Sequence, residues 1–207
     1  MKIKDYWQSV HGWFDFQDVY FTAVSVARPG DILVEIGSFV GKSTCFMLET
    51  IYNSNKKLDF YAVDLWDMYF MNAESNTPNT IMLPWNQSAK DWVETEGSDA
   101  MFKKFADNIK QSGYGEFLKG AIKENSATAA RHFADKSVFF AFIDAGHSYE
   151  SVNADIKAWY PKIKSGGFLA GHDYLSGDTI RRAVHELCKR ENLKLNVYNN
   201  SWVVQAL

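Results

Sequence analysis

Ile32-Leu33-Val34-Glu35-Ile36-Gly37-Ser38-Phe39-Val40-Gly41-Lys42-Ser43-Thr44 decides the fold of this chain. It opens on an apolar run, passes two glycines with an acid, Glu35, just ahead of the first, and closes into residues of helical spacing. Cys45, Leu48, Ile51 and Tyr52 then share one face, so residues 41–53 read as a crossover helix. A buried strand running through a glycine turn into a helix is the first unit of a nucleotide-binding α/β domain. Glycine allows dihedrals closed to other residues and lets the backbone approach a ligand.

The motif departs from two phosphate-binding patterns. A P-loop needs four residues between its first glycine and Gly-Lys-Ser, but Gly37 and Gly41 enclose three. A dinucleotide fingerprint needs G-x-G-x-x-G, which is absent. What remains is Glu-x-Gly-x-x-x-Gly, an acid beside a glycine turn, which suits a ligand carrying positive charge.

Working outward, residues 5–28 read as one helix, with Phe16, Val19, Tyr20, Ala23 and Ala27 on one stripe. Pro29-Gly30-Asp31 ends it. His11, in Val-His-Gly-Trp, is read as structural. On the other side, Asp59 to Asp64 is a second buried strand tipped by an acid. Asp64 stands where domains of this architecture hydrogen-bond ribose hydroxyls, and its two oxygens can accept from both. Residues 65–98 keep neither period; they hold Trp66, Tyr69, Phe70, Trp85 and Trp92 together with Pro78 and Pro84. A long irregular segment rich in aromatics is expected to be a lid, placed at 65–112, or else a packing insertion. Asp99 is expected to cap a helix ending at Gly113, Glu116 to Ile122 to be a third strand, and Ser126 to cap a helix over residues 127–133. The loop at Ser126 lies on the rim of Gly37 and Asp64, within reach of an adenine.

Val138-Phe139-Phe140-Ala141-Phe142-Ile143 has no polar interruption, as expected of a central parallel strand buried on both faces. It ends in Asp144-Ala145-Gly146-His147-Ser148-Tyr149. A helix follows, stopped by Ser165-Gly166-Gly167. Phe168 to Gly171 is a fifth strand ending in His172-Asp173-Tyr174. Two neighbouring strands thus deliver Asp144, His147, His172 and Asp173 to one edge. Asp178 is expected to cap the last helix. Residues 194–198 and 202–206 close the chain as a hairpin about Asn199-Asn200-Ser201.

Composition sets the bounds. A chain of 207 residues with 46% apolar and 23% charged residues is globular and long enough for one α/β domain over 1–207. A net charge of -3 gives no electrostatic case for nucleic acid. Cys45 and Cys188 are far apart and read as reduced thiols. No run is long enough to cross a membrane and the N-terminus lacks a signal-peptide core, so a cytoplasmic protein is expected. Oligomeric state is left open, a homo-oligomer included.

The motifs Val34-Glu35-Ile36-Gly37-Ser38 with Gly41-Lys42-Ser43-Thr44, then Ala62 to Trp66, Phe142 to Tyr149, Ser165 to Phe168 and Gly171 to Tyr174 come in a telling order. In that order and spacing the chain resembles class I S-adenosylmethionine-dependent methyltransferases, most closely the group typified by macrocin O-methyltransferase. The resemblance covers roughly residues 10–190. It implies a Rossmann-like, seven-stranded, mostly parallel sheet flanked by helices, with the last strand antiparallel and an aromatic-rich lid insertion. It implies S-adenosyl-L-methionine as donor, held by Glu35, Gly37, Ser38, Gly41, Ser43, Asp64, Ser126 and Asp144. It implies a small-molecule acceptor hydroxyl, a carbohydrate among the classes. His147 is the expected base, with His172 as the other imidazole able to serve. Asp144, His172 and Asp173 are the expected holders of a divalent metal, Mg²⁺ or Mn²⁺. Relatives that use a metal offer oxygen at all three places, so the imidazole at His172 departs from the pattern. Two rivals stand beside this reading: an ATP- or GTP-binding protein using Gly41-Lys42-Ser43, and a methyltransferase fold that binds without catalysis.

Overall fold

The computed structural model describes residues 1–67, 88, 92 and 95–207. Its centre is a sheet of seven strands in the order β3-β2-β1-β4-β5-β7-β6. These are β1 (Ile32–Ile36), β2 (Asp59–Asp64), β3 (Leu118–Lys123), β4 (Val138–Ile143), β5 (Ile163–Gly171), β6 (Leu195–Tyr198) and β7 (Ser201–Gln205). The first five run parallel and β7 pairs antiparallel with both β5 and β6, so the expected architecture stands. β4 is buried at all six positions, because helices cover both faces of a central parallel strand.

The period-2 alternation of each strand splits the core in two. Leu33, Phe60, Phe140 and Phe142 face one cluster with α1 (Gln17–Val26), α2 (Lys42–Ser54) and α3 (Ala100–Ser112). Val34, Ile36, Val63, Ala141 and Ile143 face the other, with α4 (Ser126–Ala129), α5 (Tyr149–Trp159) and α6 (Asp178–Glu191). Among the described residues no helix is long and apolar enough to cross a membrane.

Several boundaries differ from expectation, each for a local reason. The single helix expected over 5–28 is a short 3-10 turn, Tyr6–Ser9, then an irregular strap, and only then α1 from Gln17. Gly12 has φ 137°, and Phe14 and Phe16 anchor the strap in an aromatic cluster. Asp99 makes no side-chain cap; its carboxylate pairs with Lys123. The cap of α4 is Asn125, whose Oδ1 accepts from the backbone N–H of Ala127 and Thr128, not Ser126. Gly177 precedes α6 where Asp178 was expected. Ser165-Gly166-Gly167 does not stop the helix. Pro161 lies in a 3-10 turn that follows α5, and β5 already starts at Ile163. Within the lid expected at 65–112, Tyr69, Phe70, Pro78, Pro84 and Trp85 lie outside the described residues. Trp66 and Trp92 are buried in the first core cluster, and residues 100–112 are a helix packed on α2.

Candidate functional site

The carboxyl ends of β1, β2, β4 and β5 meet at one rim, where open α/β sheets bind ligands. The turn after β1 is fixed by its neighbours. Gly37 N–H donates to Val63 O at 2.8 Å, while Asp144 N–H donates to Ile36 O at 2.7 Å. Gly37 has φ 93°, and a Cβ there would lie 2.0 Å from the Asp144 carbonyl oxygen. The glycine is therefore demanded first by the exit of β4, before any ligand arrives. Gly41 caps α2 at φ 91°, with Phe105 of α3 close behind it. Asn108 of α3 supports the turn further, its Nδ2 donating to Val40 O at 2.8 Å.

Three residues other than glycine hold left-handed backbone at this rim: Phe39 (φ 46°), Trp66 (φ 46°) and Asp173 (φ 58°). Such conformations cost about 1 kcal/mol or more each and concentrate at functional sites. Asp64 ties two of them together. Its Oδ2 accepts from Ser38 N–H at 2.9 Å and Phe39 N–H at 2.8 Å, and its Oδ1 from Trp66 N–H at 2.7 Å. Burial raises its pKa, and those backbone donors partly offset the rise. The indole of Trp66 donates to Phe39 O at 2.7 Å.

Glu35 does not stand at the rim. Alternation along β1 turns it to the face of Leu33, under α1 and α2, where it is 1% exposed. The Tyr20 hydroxyl donates to its Oε1 at 2.8 Å and the Thr44 hydroxyl to its Oε2. Burial raises its pKa, and the surrounding hydroxyls of Ser43, Thr44 and Tyr20 hold the rise back. Ser43 is likewise buried. The Ser38 hydroxyl is buried without a well-directed hydrogen-bond partner. The Ser126 hydroxyl is taken by Asp155 of α5, and its carbonyl accepts from the Trp159 indole at 3.0 Å.

The structure brings Asp144, His147, His172 and Asp173 together. His147 Nε2 lies 2.9 Å from Asp173 Oδ2, and the His147 side chain is 66% exposed. Its backbone is held by the Thr179 hydroxyl, which donates to His147 O at 3.0 Å. His172 is 13% exposed; its Nδ1 lies 3.4 Å from Asp173 Oδ1 and 3.9 Å from Asp144 Oδ1. Its Nε2 lies 2.7 Å from Oδ1 of Asp15, a strap residue, and Phe16 packs on the ring. Asp173 Oδ1 also accepts from the Ser176 hydroxyl at 2.8 Å and from Asn200 of the closing hairpin at 3.3 Å.

These contacts set the charges. Burial pushes the Asp144 carboxyl up to about 6, against the pull of His172 and His147. Burial draws the His172 imidazole down, but Asp173, Asp144 and Asp15 outweigh it and lift it to about 9. Hydrogen bonding to His147 and His172 holds Asp173 well below the usual carboxylate range. Among the described residues, Asp144, His147 and Asp173 offer ligand atoms all within 4.8 Å of one another. That trio has His147 where His172 was expected; the His172 ring lies beside it, with its Nε2 on Asp15.

A family model for the methyltransferase domain matches residues 34–174. The chain belongs to that family. It is a class I S-adenosylmethionine-dependent methyltransferase, and its Rossmann-like sheet is the one solved relatives share. The O-methyltransferase NovP is 16% identical over 92% of this chain and 78% of its own, with a TM-score of 0.60. A Streptococcus mutans protein described as a proposed methyltransferase, solved with S-adenosylhomocysteine, is 14% identical over 95% of this chain and 100% of its own, with a TM-score of 0.58. An rRNA methylase from Streptococcus thermophilus is 13% identical over 95% of this chain and 99% of its own, with a TM-score of 0.57. At these identities the likeness is one of fold. No curated protein sequence matches the methyltransferase.

Asp15, Tyr20 and Asn108 support this site without having been singled out as site residues in the sequence. Asp15 carries a faint signal: an acid between Phe14 and Phe16, whose aromatic side chains pack inward and leave it outside.

Proposed function

We propose that this methyltransferase transfers a methyl group to a hydroxyl oxygen of a small molecule, with a sugar ring the first acceptor class. One observation carries the reading: an exposed imidazole, His147, oriented by Asp173 at 2.9 Å, stands on the rim that the glycine turn and Asp64 define.

The donor supplies an electrophilic methyl on a sulfonium. A carboxylate has about four acceptor sites. The backbone N–H groups of Ser38, Phe39, Trp66 and Leu65 already surround Asp64, so a ribose hydroxyl would share its oxygens with them. The Ser38 hydroxyl, buried beside Glu35 and helping to hold down its pKa, would have to turn to meet a polar end of the same ligand. Gly37 and Gly41 shape the turn, and Asp144 closes it from β4. Glu35 and Ser43 would act from beneath, holding the start of α2 in place. The Ser126 loop would bear on the adenine through its backbone, since its hydroxyl is taken. With Nε2 turned to Asp173, His147 would take the acceptor's proton at Nδ1. The acceptor oxygen then bonds the methyl carbon as the carbon–sulfur bond breaks, leaving S-adenosylhomocysteine. Holding the partners in line supplies much of the rate.

Asp144, His147 and Asp173 would alternatively hold a divalent metal, with His172 just behind them, and His147 would then be a ligand in place of the base. Two carboxylates and an imidazole suit Mn²⁺ better than Mg²⁺, which prefers oxygen throughout. A metal there would lower the acceptor hydroxyl's pKa. Activity surviving dialysis against EDTA would remove the metal from the mechanism.

Calorimetry with S-adenosylhomocysteine and with ATP, then labelled-methyl transfer across sugar, phenol and RNA acceptors, tests the function. Binding of the first ligand alone, with transfer to a hydroxyl, is expected. The His147→Asn variant should lose roughly 10²- to 10⁴-fold in rate, the usual worth of a positioned base. ATP binding would favour the triphosphate reading, binding without transfer a non-catalytic module, and RNA labelling a different acceptor.

A further inference from the structure

The family match begins at residue 34, so it says nothing of the strap that reaches the rim from upstream. The path of the strap is fixed. Lys42 Nζ, at the start of α2, donates to Val10 O at 3.0 Å. Phe14 meets Trp7 and Phe46 edge-on or tilted, with ring centres 5.6 and 5.1 Å away. Phe16 is buried and stacks on Phe142 of β4 at 4.4 Å. Exposure alternates from Trp13 to Phe16, with Phe14 half-buried and Phe16 buried, so the residue between them faces the other way. Asp15 is accordingly exposed, and its Oδ1 lies 2.7 Å from His172 Nε2. The far side of that ring faces Asp173 Oδ1 at 3.4 Å, and the other oxygen of Asp173 faces His147 Nε2 at 2.9 Å. Four side chains therefore stand in one row, from the strap through β5 to the loop after β4.

We infer that Asp15 is a positioning residue of the methyl-transfer site: it holds the His172 ring against Asp173, so that Asp173 keeps its other oxygen on His147. The inference rests on His147 being the base proposed above. Asp15 need not touch donor or acceptor. Its contact with His172 is ionic, and the Phe16 ring packs against the same imidazole. Removing the charge of Asp15 loosens the His172 ring, and Asp173 Oδ1 is then left with its Ser176 and Asn200 contacts alone. The loss then appears at His147, three side chains along the row from Asp15.

The test reads the histidine rings directly and needs no acceptor. Long-range ¹⁵N–¹H spectra of the full chain, saturated with S-adenosylhomocysteine and treated with EDTA, are compared for wild type, Asp15→Asn and Asp15→Glu. In wild type, His147 should show one tautomer, protonated on Nε2. In Asp15→Asn the separation between its two ring nitrogens should collapse toward an average, and Asp15→Glu should restore it. Calorimetric affinity for S-adenosylhomocysteine should agree within about twofold across the three. Asp15→Asn moving only the His172 signals, or leaving both rings unchanged, overturns the inference, as does failure of Asp15→Glu to restore the His147 pattern. Wild-type activity surviving His147→Asn overturns the base assignment instead, whatever the spectra show.

Discussion

Glu35 shows how one acid can be placed by alternation rather than by the ligand it was expected to meet. Its carboxylate is satisfied by hydroxyls from α1 and α2, so it binds the two helices to β1. Leaving a buried acceptor short of its donor costs about 1–3 kcal/mol. Tyr20→Phe should lower unfolding free energy in urea by that amount while keeping affinity for S-adenosylhomocysteine within a fewfold; a neutral variant would remove Glu35 from this structural role. His172 sets a pH dependence. Its folded pKa, lifted from 6.5 to about 9, means the folded chain binds the extra proton. Its stabilising contribution is fully present below pH 6.5 and is lost as pH rises through about 9. Asp173 works in the opposite sense: its depressed pKa adds stability above the usual carboxylate range, lost on acidification. Melting temperature followed from neutral pH into the alkaline range should fall in wild type and fall less in His172→Asn.

At the scale of elements, the glycine turn between β1 and α2 is held from three sides: by Val63 of β2, by the exit of β4 and by α3. The contrast between two glycines tests this. Gly30 and Gly37 both have positive φ, 88° and 93°, but a Cβ at Gly30 meets nothing within 4 Å, while one at Gly37 meets a carbonyl oxygen. Gly30→Ala should cost only the backbone strain, about 1 kcal/mol. Gly37→Ala should cost several times more in urea denaturation and abolish binding of S-adenosylhomocysteine, since β1 and β4 must part to admit the methyl. Equal effects at both positions would contradict the packing argument. The strap belongs to the same scale: read as helix by periodicity, it leaves helical geometry at Gly12, φ 137°, and Phe14 and Phe16 join the aromatic cluster.

Over the whole molecule, one sheet with a core on each face carries a rim built from loops far apart in sequence. The closing hairpin is part of that rim. Asn200 steadies Asp173, and the Trp202 ring fills the space over Gly171, where a Cβ would lie 2.7 Å from it. Trp202 is 1% exposed. Trp202→Ala should therefore cost about 3–5 kcal/mol, the usual range for a buried tryptophan. It should also weaken methyl transfer beyond what the lost stability explains at a temperature where the variant is folded. Destabilisation without an effect on transfer would show that the hairpin only closes the sheet.

The strand-turn-helix order, the uninterrupted β4 and the motifs at Asp64, Asp144, His147 and Asp173 were legible in the sequence, because strand period and glycine spacing are local properties of the chain. That is why the sheet, the family and the edge that gathers the site could be read from residues alone. Direction of side chains was not legible. Whether Glu35 faces ligand or core, whether His172 faces a metal or Asp15, and whether Trp66 and Trp92 cover a substrate or fill a core depend on what packs opposite. Those partners sit on other elements of the chain, so only the tertiary structure decided them.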